Sequence, residues 1–478
     1  MIIPANNTVV YDIANLLTIR PTSTINNNGV LSFNSALATT LANDISGTGS
    51  INQSGAGTLT LTGTNSYSGD TIINHSSLIA GNSKALGSSS INSSGGIFST
   101  ITGLRLLSLT INGPVTLIEN IMTLGTQTYN GPVTLNNAAN ITTLTSESGN
   151  IDFGSTLVAG ANNQSLTLNA LQGRVIFNDQ VGVATQTYNA VTGVYTSRIF
   201  QAYLGLSLQN LTNLTVTADT ILFNGDITTF TAQTYNGNLR VGDNGQNGPT
   251  RVLLSEDPSI IINGLIDDVV SGQHNLVLRA IRIGGTDTPV ISVNGLVGSL
   301  IPLNSITITT GEQNMSGVPI SSDSSINPSN YVGNILLGGD ITTVGNQIYT
   351  ANNILVLNQT TFTTFGGSVT FNYGIPANFG GINPLMGNAP LSLNFNVNGG
   401  AVTGVAYTDP STQPRGELVN TVPTTNKQNV TATGMGWLDD HIRKNVKSSS
   451  VNTEVNQENI SFSEPEVQCV EATSMGCS

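Results

Sequence analysis

The sequence predicts an all-β chain: a right-handed, single-stranded parallel β-helix (solenoid) followed by a flexible C-terminal tail. Three observations lead to that reading. The composition is poor in charge but not in apolar residues. A long-range repeat recurs along most of the chain. Within each repeat lie short alternating strands at the spacing of single coils.

Composition excludes most other classes. Of 478 residues, 38% are hydrophobic, 9% charged and 5% aromatic. A disordered chain has fewer apolar and more charged residues, and an average globular domain carries about 25% Asp, Glu, Lys and Arg. Here Asn, Ser, Thr and Gly take the place of charge. Thr suits a pleated surface, Asn and Gly suit turns, and few segments hold the Ala, Leu, Glu and Lys mixture of stable helices. The net charge of −13 and pI of about 4.4 argue against nucleic acid or an anionic membrane as partner. No run approaches the ~18 apolar residues of a membrane helix, so no transmembrane segment is expected. The start, Met1-Ile2-Ile3-Pro4, has neither the basic nor the apolar region of a signal peptide. The expectation is a piece of a longer protein, or a start that lies elsewhere.

The repeat is visible by eye. Ile221-Leu-Phe-Asn-Gly-Asp-Ile-Thr-Thr-Phe-Thr-Ala-Gln-Thr-Tyr235 aligns without a gap on Ile335-Leu-Leu-Gly-Gly-Asp-Ile-Thr-Thr-Val-Gly-Asn-Gln-Ile-Tyr349. Further copies end in Gln127-Thr-Tyr129 and Gln186-Thr-Tyr188, so the markers are the pairs Gln127/Tyr129, Gln186/Tyr188, Gln233/Tyr235 and Gln347/Tyr349. The interval from Gln233 to Gln347 is about twice that from Gln127 to Gln186. This predicts a unit of roughly 50–60 residues with one unmarked member, a period that signals a stacked array.

Each unit breaks into strand-sized pieces. Pro132–Leu135, Gly149–Phe153, Ser165–Leu168 and Arg174–Phe177 alternate apolar residues or nearly so. Asn-Gly, Gly-Asp and Asn-Asn pairs between them tolerate the positive φ of tight corners. Asn112-Gly-Pro-Val-Thr-Leu117 recurs as Asn130-Gly-Pro-Val-Thr-Leu135, and the step from Asn112 to Asn130 is one coil. Stacked coils bury the inward aliphatics at about 1.5–3 kcal/mol each, less the ordering entropy. A core of that size needs no disulfide, and the only cysteines are Cys469 and Cys477.

Two resemblances follow from these residues. Gly55-Ala-Gly-Thr-Leu-Thr-Leu-Thr-Gly-Thr-Asn-Ser-Tyr-Ser-Gly69, with Thr71–Asn74 and Leu78–Gly87 after it, resembles the passenger-associated β-strand repeat of autotransporters. It departs at Gly69-Asp70, where the repeat usually has Gly-Gly, and at Ser76-Ser77. The Gln-Thr-Tyr-Asn-Gly units resemble the shafts of filamentous-haemagglutinin-like exoproteins of two-partner secretion. The resemblance implies a secreted adhesin or stalk at the surface of a Gram-negative bacterium. Its partners would be a host or bacterial surface receptor and an outer-membrane two-partner transporter, and it would need no cofactor. The organisation expected is N-terminal coils or a fragment start over 1–50, the passenger-associated repeat over 51–100, and a shaft of Gln-x-Tyr repeats over 101–409. Residues 410–478 are read as linker, short helix and acidic tail.

In that tail, Gly434–Val446 holds the single Trp and reads as a short amphipathic helix or docking segment. Glu454, Glu458, Glu464, Glu466 and Glu471 then follow with no basic residue after Lys447. Cys469 and Cys477 suggest a small disulfide loop in an oxidising compartment. The pair resembles the terminal Cys pair that tethers high-molecular-weight two-partner adhesins to their pore. Two thiols with no joint role are the plain alternative.

Catalytic signals are weak, and the chain reads as no enzyme. His75, His274 and His441 lie in three different regions without a metal-ligand partner at short spacing. The densest carboxylates of the shaft are Glu256-Asp257 and Asp267-Asp268, in the region that also holds Arg240, Arg251, Arg279 and Arg282. A carbohydrate-active lyase or hydrolase would want such a cluster; charges on surface loops account for it equally.

Overall fold

The computed structural model describes residues 1–11, 23–160, 163–182, 188–189, 194–195, 210–245, 248–256, 259–283, 288–313, 333–351, 353–356, 358, 360–373, 381–384, 392–405, 417–420, 430–433 and 460–461. Strands and turns make up these residues, and no helix occurs among them. The chain forms the parallel β-helix that the alternation predicts, and its contacts gather into two compact units. One comprises residues 1–183 and 207–225, the other 184–206 and 226–478.

In the first unit, each turn of the chain contributes strands to parallel ladders. One ladder runs through Val30–Phe33, Ser50–Gln53, Thr71–Ile73, Ile91–Ser93, Leu109–Asn112, Gln127–Tyr129 and Ile151–Phe153. Another links Thr58–Leu61, Ser77–Ala80, Gly96–Thr100, Val115–Leu117, Val133–Leu135 and Leu157–Ala159. Leu31, Ile51, Thr71, Ile91 and Ile111 lie one over the next at an even step. The step from Ile111 to Tyr129 is shorter, and Phe153 and Phe177 then follow at longer, equal ones. The one-coil spacing read from Asn112 and Asn130 is a true register step: Val115 lies against Val133. Alternate residues point inward, so Gln127 and Tyr129 are buried while Thr128 between them is half-exposed.

Parallel stacking in register places like upon like. Tyr129, Phe153 and Phe177 stack with ring centroids 5.2 and 5.6 Å apart and planes 11° and 6° from parallel. Outside the core, Asn130 Nδ2 donates to Asn112 Oδ1 at 2.7 Å, and Asn112 Nδ2 to Asn92 Oδ1 at 2.9 Å. Inside it, Asn65 ties three coils together. Its Oδ1 accepts from Ile45 N at 2.9 Å, and its Nδ2 donates to Ala85 O at 2.6 Å, one coil away on either side.

Glycine serves these corners in a way that differs from the expectation. Gly113 has the expected positive φ of 81°. Gly131 above it does not; there a Cβ would lie 2.1 Å from Gly113 C, so the previous coil leaves no room for one.

The second unit repeats the plan, mostly with longer coils. One ladder joins Ile227–Thr229, Thr250–Ser255, Asn275–Ile283, Ser305–Gln313, Gln347–Ala351, Val369–Tyr373 and Val402–Val405. A second passes through Gln233, Ile260, Ile291, Ile335 and Ile354 at unequal steps, the widest from Ile291 to Ile335. The last pairings change direction: Glu417–Asn420 lies antiparallel on Val402–Val405, and Val430–Thr433 antiparallel on Ser392–Val397. Such pairing covers a ladder edge that would otherwise present free N–H and C=O groups.

Replacing Asn65 by Ala should strand Ile45 N and Ala85 O in the core. A loss of about 1–3 kcal/mol is expected, read as a lower denaturation midpoint together with faster hydrogen exchange at the Ile45 amide. Unchanged exchange there would show that Asn65 does not join the coils.

Candidate functional site

The sequence offers two candidates: the Gln-x-Tyr markers and the charged cluster between residues 240 and 282. The markers prove to be corner clamps. In the first unit, Gln127 Nε2 donates to Thr145 O of the next coil at 2.8 Å and lies 3.4 Å from Ile121 O of the preceding strand. Tyr129 Oη donates to Gln127 Oε1 at 2.9 Å. In the second unit, Gln233 Nε2 contacts Leu254 O, Thr229 Oγ1 and Ile227 O at 2.7, 3.2 and 3.4 Å, and Tyr235 Oη donates to Gln233 Oε1 at 2.8 Å. Gln347 Nε2 contacts Thr363 O, Thr343 Oγ1 and Ile341 O at 2.8, 3.2 and 3.2 Å, and Tyr349 Oη donates to Gln347 Oε1 at 3.0 Å. Each of these Gln and Tyr side chains is fully buried.

The chemistry explains the residue types. A turn between two inward-facing strands leaves carbonyls inside the core, and an amide side chain can donate to more than one of them while its oxygen accepts from the Tyr two residues on. Thr four residues before the Gln completes the set. Thr123, Thr229 and Thr343 each donate to a carbonyl two residues on, those of Gly125, Thr231 and Gly345. Gln186 has Gly182 at that position, so this copy lacks the Thr. Gln186 and the side chain of Tyr188 lie outside the described residues, as do Cys469, Cys477, His441 and the segment 434–446 expected to be helical.

The markers do not count whole repeats. From Gln233 the same ladder reaches Ile335 after three coils, but Gln347 stands on a different ladder, beside Ile306. The interval from Gln233 to Gln347 is therefore three complete coils and part of a fourth, not two equal units. Sequence spacing overlooks other clamps as well. Gln53 Nε2 donates to Gly57 O at 2.6 Å and Gly55 O at 3.1 Å.

The charged cluster corrects the reading of surface loop charges. Glu256, Asp267, Asp268, His274 and Arg279 are all buried, and Arg251 is the largest fully buried side chain among the described residues. Asp267 Oδ1 accepts from Leu300 N at 3.0 Å and Ile301 N at 3.1 Å. Asp268 accepts from Val270 N, Gln273 N and His274 N at 3.1, 3.1 and 2.9 Å. Arg251 donates from Nε to Gly242 O, from Nη1 to Thr250 O and from Nη2 to Gly248 O, each at 2.6 Å. Arg240 Nη1 donates to Asp268 O at 3.2 Å and lies 3.9 Å from Asp267 Oδ2. His274, unremarkable in the sequence, sits between two carboxylates: Nδ1 is 2.5 Å from Asp268 Oδ1 and Nε2 is 2.9 Å from Asp243 Oδ2. These oxygens are occupied by amide N–H groups and by one imidazole, as suits charges that hold corners. Among the described residues, no group of three or more His, Cys, Asp or Glu could hold a metal ion.

Electrostatics follow from burial. Desolvation pushes the Tyr129, Tyr235 and Tyr349 hydroxyls well above the ordinary phenol range, which keeps them neutral donors. Desolvation also raises Asp226 and lowers Arg251. The His274 contact, with Gly245 N as a second donor, holds the Asp243 carboxyl below its usual range.

The tyrosines have a testable consequence. Below the phenol pKa of an unfolded chain, about 10, both states are neutral and the clamps contribute fully. As pH rises beyond it, the unfolded chain ionises first, and the stability of the folded state falls toward the higher folded values. Alkaline denaturation should therefore begin above pH ~10. The triple variant Tyr129→Phe, Tyr235→Phe, Tyr349→Phe should be less stable at pH 7 but show a shallower alkaline decline. An equal slope in variant and parent would contradict the assignment.

Comparison with known families adds one match. The model of the passenger-associated-transport-repeat matches residues 51–75. No curated protein and no solved structure matches the chain. Within the matched stretch, Tyr67 Oη lies 2.6 Å from Thr71 Oγ1, which lies 2.9 Å from Ser89 Oγ, and Asn65 joins the coils on either side. The match supports an autotransporter passenger repeat in this stretch, and with it a surface protein of Gram-negative bacteria.

Proposed function

We propose that the chain is the shaft of a secreted bacterial surface adhesin or structural stalk, presenting a binding region to a receptor on host cells or other bacteria. The observation that carries this reading is the passenger repeat over residues 51–75, built into a ladder of parallel coils. A stack in which each coil supports its neighbours suits a scaffold that sets distance from the cell, because length adds stability instead of exhausting it. Export through an outer-membrane transporter of the two-partner type fits the resemblance of the Gln-Thr-Tyr-Asn-Gly units to such exoproteins.

The reading makes the chain no enzyme. Asp267 and Asp268, the carboxylates that a lyase or hydrolase would recruit, are buried and accept from backbone amides. An acid or base must reach the proton it transfers. The purified chain should therefore leave neutral and acidic polysaccharides intact. Turnover abolished by Asp267→Asn or Asp268→Asn, in a variant that keeps its β spectrum, would replace the scaffold reading with the enzymatic one.

The terminal cysteines enter the proposal as an anchor. A bridge between Cys469 and Cys477 closes a loop too short to restrict the unfolded chain much, so it adds little to shaft stability. Its use would be mechanical, as a knot held in the transporter pore. In an expressing cell, Cys469→Ser should move protein from the cell fraction to the medium without lowering the shaft's melting temperature. Free thiols in the exported parent, or equal cell-bound amounts of both proteins, would remove the anchor from the proposal.

A further inference from the structure

Asn-Gly is the step at which a chain most readily modifies itself. The glycine nitrogen attacks the asparagine Cγ, a cyclic imide forms, and Nδ2 leaves as ammonia. Water then opens the imide at either carbonyl, giving aspartate or isoaspartate. Glycine favours the attack because it has no Cβ to hinder the backbone turn that brings its nitrogen to Cγ. The step recurs along this chain, and the coils restrain it to different degrees.

Within the asparagine rows both reacting groups are held. Asn130 Nδ2, the leaving group, donates to Asn112 Oδ1 at 2.7 Å, and a Cβ on Gly131 would stand 2.1 Å from Gly113 C. In the second unit Asn294 Nδ2 donates to Asn263 Oδ1 and Asn263 Nδ2 to Asn236 Oδ1, both at 2.7 Å. Gly295 packs on Gly264 and Gly264 on Gly237, with 2.1 and 2.0 Å between an added Cβ and the neighbouring carbonyl oxygen. Asn224 repeats the arrangement on Asn178, with Gly225 against Asp179. Asn28 Nδ2 donates to Asn26 Oδ1 and its Oδ1 accepts from Thr48 N, both at 3.1 Å, while Gly29 packs on Asn7 O. In each of these steps the attack must break a side-chain hydrogen bond and lift a glycine off the neighbouring coil.

Two steps differ. Gly245 has open space around it, but its N–H, the attacking group, already donates to Asp243 Oδ1 at 2.9 Å. Asn398-Gly399 has no such restraint. Asn398 is exposed, and its side chain makes no hydrogen bond among the described residues. Gly399 has a φ of 80°, and apart from its chain neighbours nothing would lie within 4 Å of a Cβ there. The only hold is on the main chain, where Asn398 N donates to Thr364 O at 3.1 Å. The step forms the corner between Ser392–Val397 and Val402–Val405, which lie parallel on the preceding coil. We propose that Asn398 is the self-modification site among the described Asn-Gly steps, passing through the imide to aspartate and isoaspartate, and that stacking shields the steps in the rows. Asn247, the remaining Asn before a Gly, lies outside the described residues.

This inference does not depend on the adhesin reading, since it concerns corners that any parallel β-helix could carry. The test is incubation of the full folded chain at mildly alkaline pH, with deamidation followed peptide by peptide in the mass spectrometer. Isoaspartate is marked by an isoaspartate-specific methyltransferase. The peptide holding Asn398 should convert first. Those holding Asn130, Asn263 and Asn294 should lag by about tenfold or more, since each must give up a hydrogen bond and a packed glycine before reacting. In denaturant the lag should vanish. In Asn112→Ala, Asn130 loses its acceptor and its peptide should convert several-fold faster, while Asn294 in the other unit keeps its rate. Row peptides that convert as fast as Asn398 in the folded parent would overturn the proposal. So would a lag that persists in denaturant, because it would then belong to the local sequence and not to the stack. An Asn130 rate unchanged in a folded Asn112→Ala chain would equally remove the row as a shield.

Discussion

Hydrogen bonding between successive coils constrains everything else in this protein. Parallel strands stack at about 4.8 Å, and the stacking holds each residue over a counterpart that it cannot avoid. That is why Tyr129, Phe153 and Phe177 form a column and why Asn92, Asn112 and Asn130 form a hydrogen-bonded row. It also sets the demand for glycine at Gly131, where the limit is the space left by Gly113 and not a backbone angle. Coils of unequal length are tolerated as long as the strands return to register, so variation is confined to the corners.

The corners are where the sequence is hardest to read. Alternating apolar positions identify the strands, and Ile151–Phe153 and Val133–Leu135 fall where the pattern places them. The Gln-x-Tyr signal is equally clear, yet its meaning is not a period. Spacing along a chain cannot distinguish a whole number of coils from a whole number plus a fraction when coil length varies as much as it does between Ile111–Tyr129 and Ile291–Ile335. What repeats is a local solution to one problem, the inward carbonyls of a turn. The Ile-x-Thr before Gln127, Gln233 and Gln347 is the signal that could have revealed it, because Thr229 and Thr343 serve the same amide that Gln233 and Gln347 supply. Asn65 and Gln53 leave no comparable trace, since a single amide in an Asn-rich sequence stands out from nothing.

Neutral clamps and charged ones answer different corners. Burying an amide or a phenol costs little once its hydrogen bonds are made, whereas burying a charge requires several partners at once. The first unit, where the coils up to Phe177 are short, manages with Gln, Asn and Tyr at its corners. In the second unit the coils lengthen from Gln233 to Ile260, again to Ile291 and most of all to Ile335, and longer corners leave more backbone groups without a ladder partner. Among the described residues, the buried charged side chains appear there. Asp267 and Asp268 take five amides between them, and Arg251 takes three carbonyls. Composition misleads here: a chain with 9% charge invites the assumption that its few charges lie in water.

This division bears on what a scaffold of this kind can do. A clamp of Gln, Thr and Tyr has no ionisable group near neutrality, so those corners hold over the whole range of ordinary pH. His274, Asp268 and Asp243 form the one corner among the described residues where both nitrogens of a buried imidazole meet carboxylates. His274 and Asp243 are far apart in sequence and meet only because one coil has brought the chain back over itself. The same register that makes the stack indifferent to its length brings together, at one corner, a buried imidazole and two carboxylates. A solenoid can in this way carry a corner of charged groups without altering the plan of the coils above and below it, since each coil is tied to its neighbours by backbone bonds.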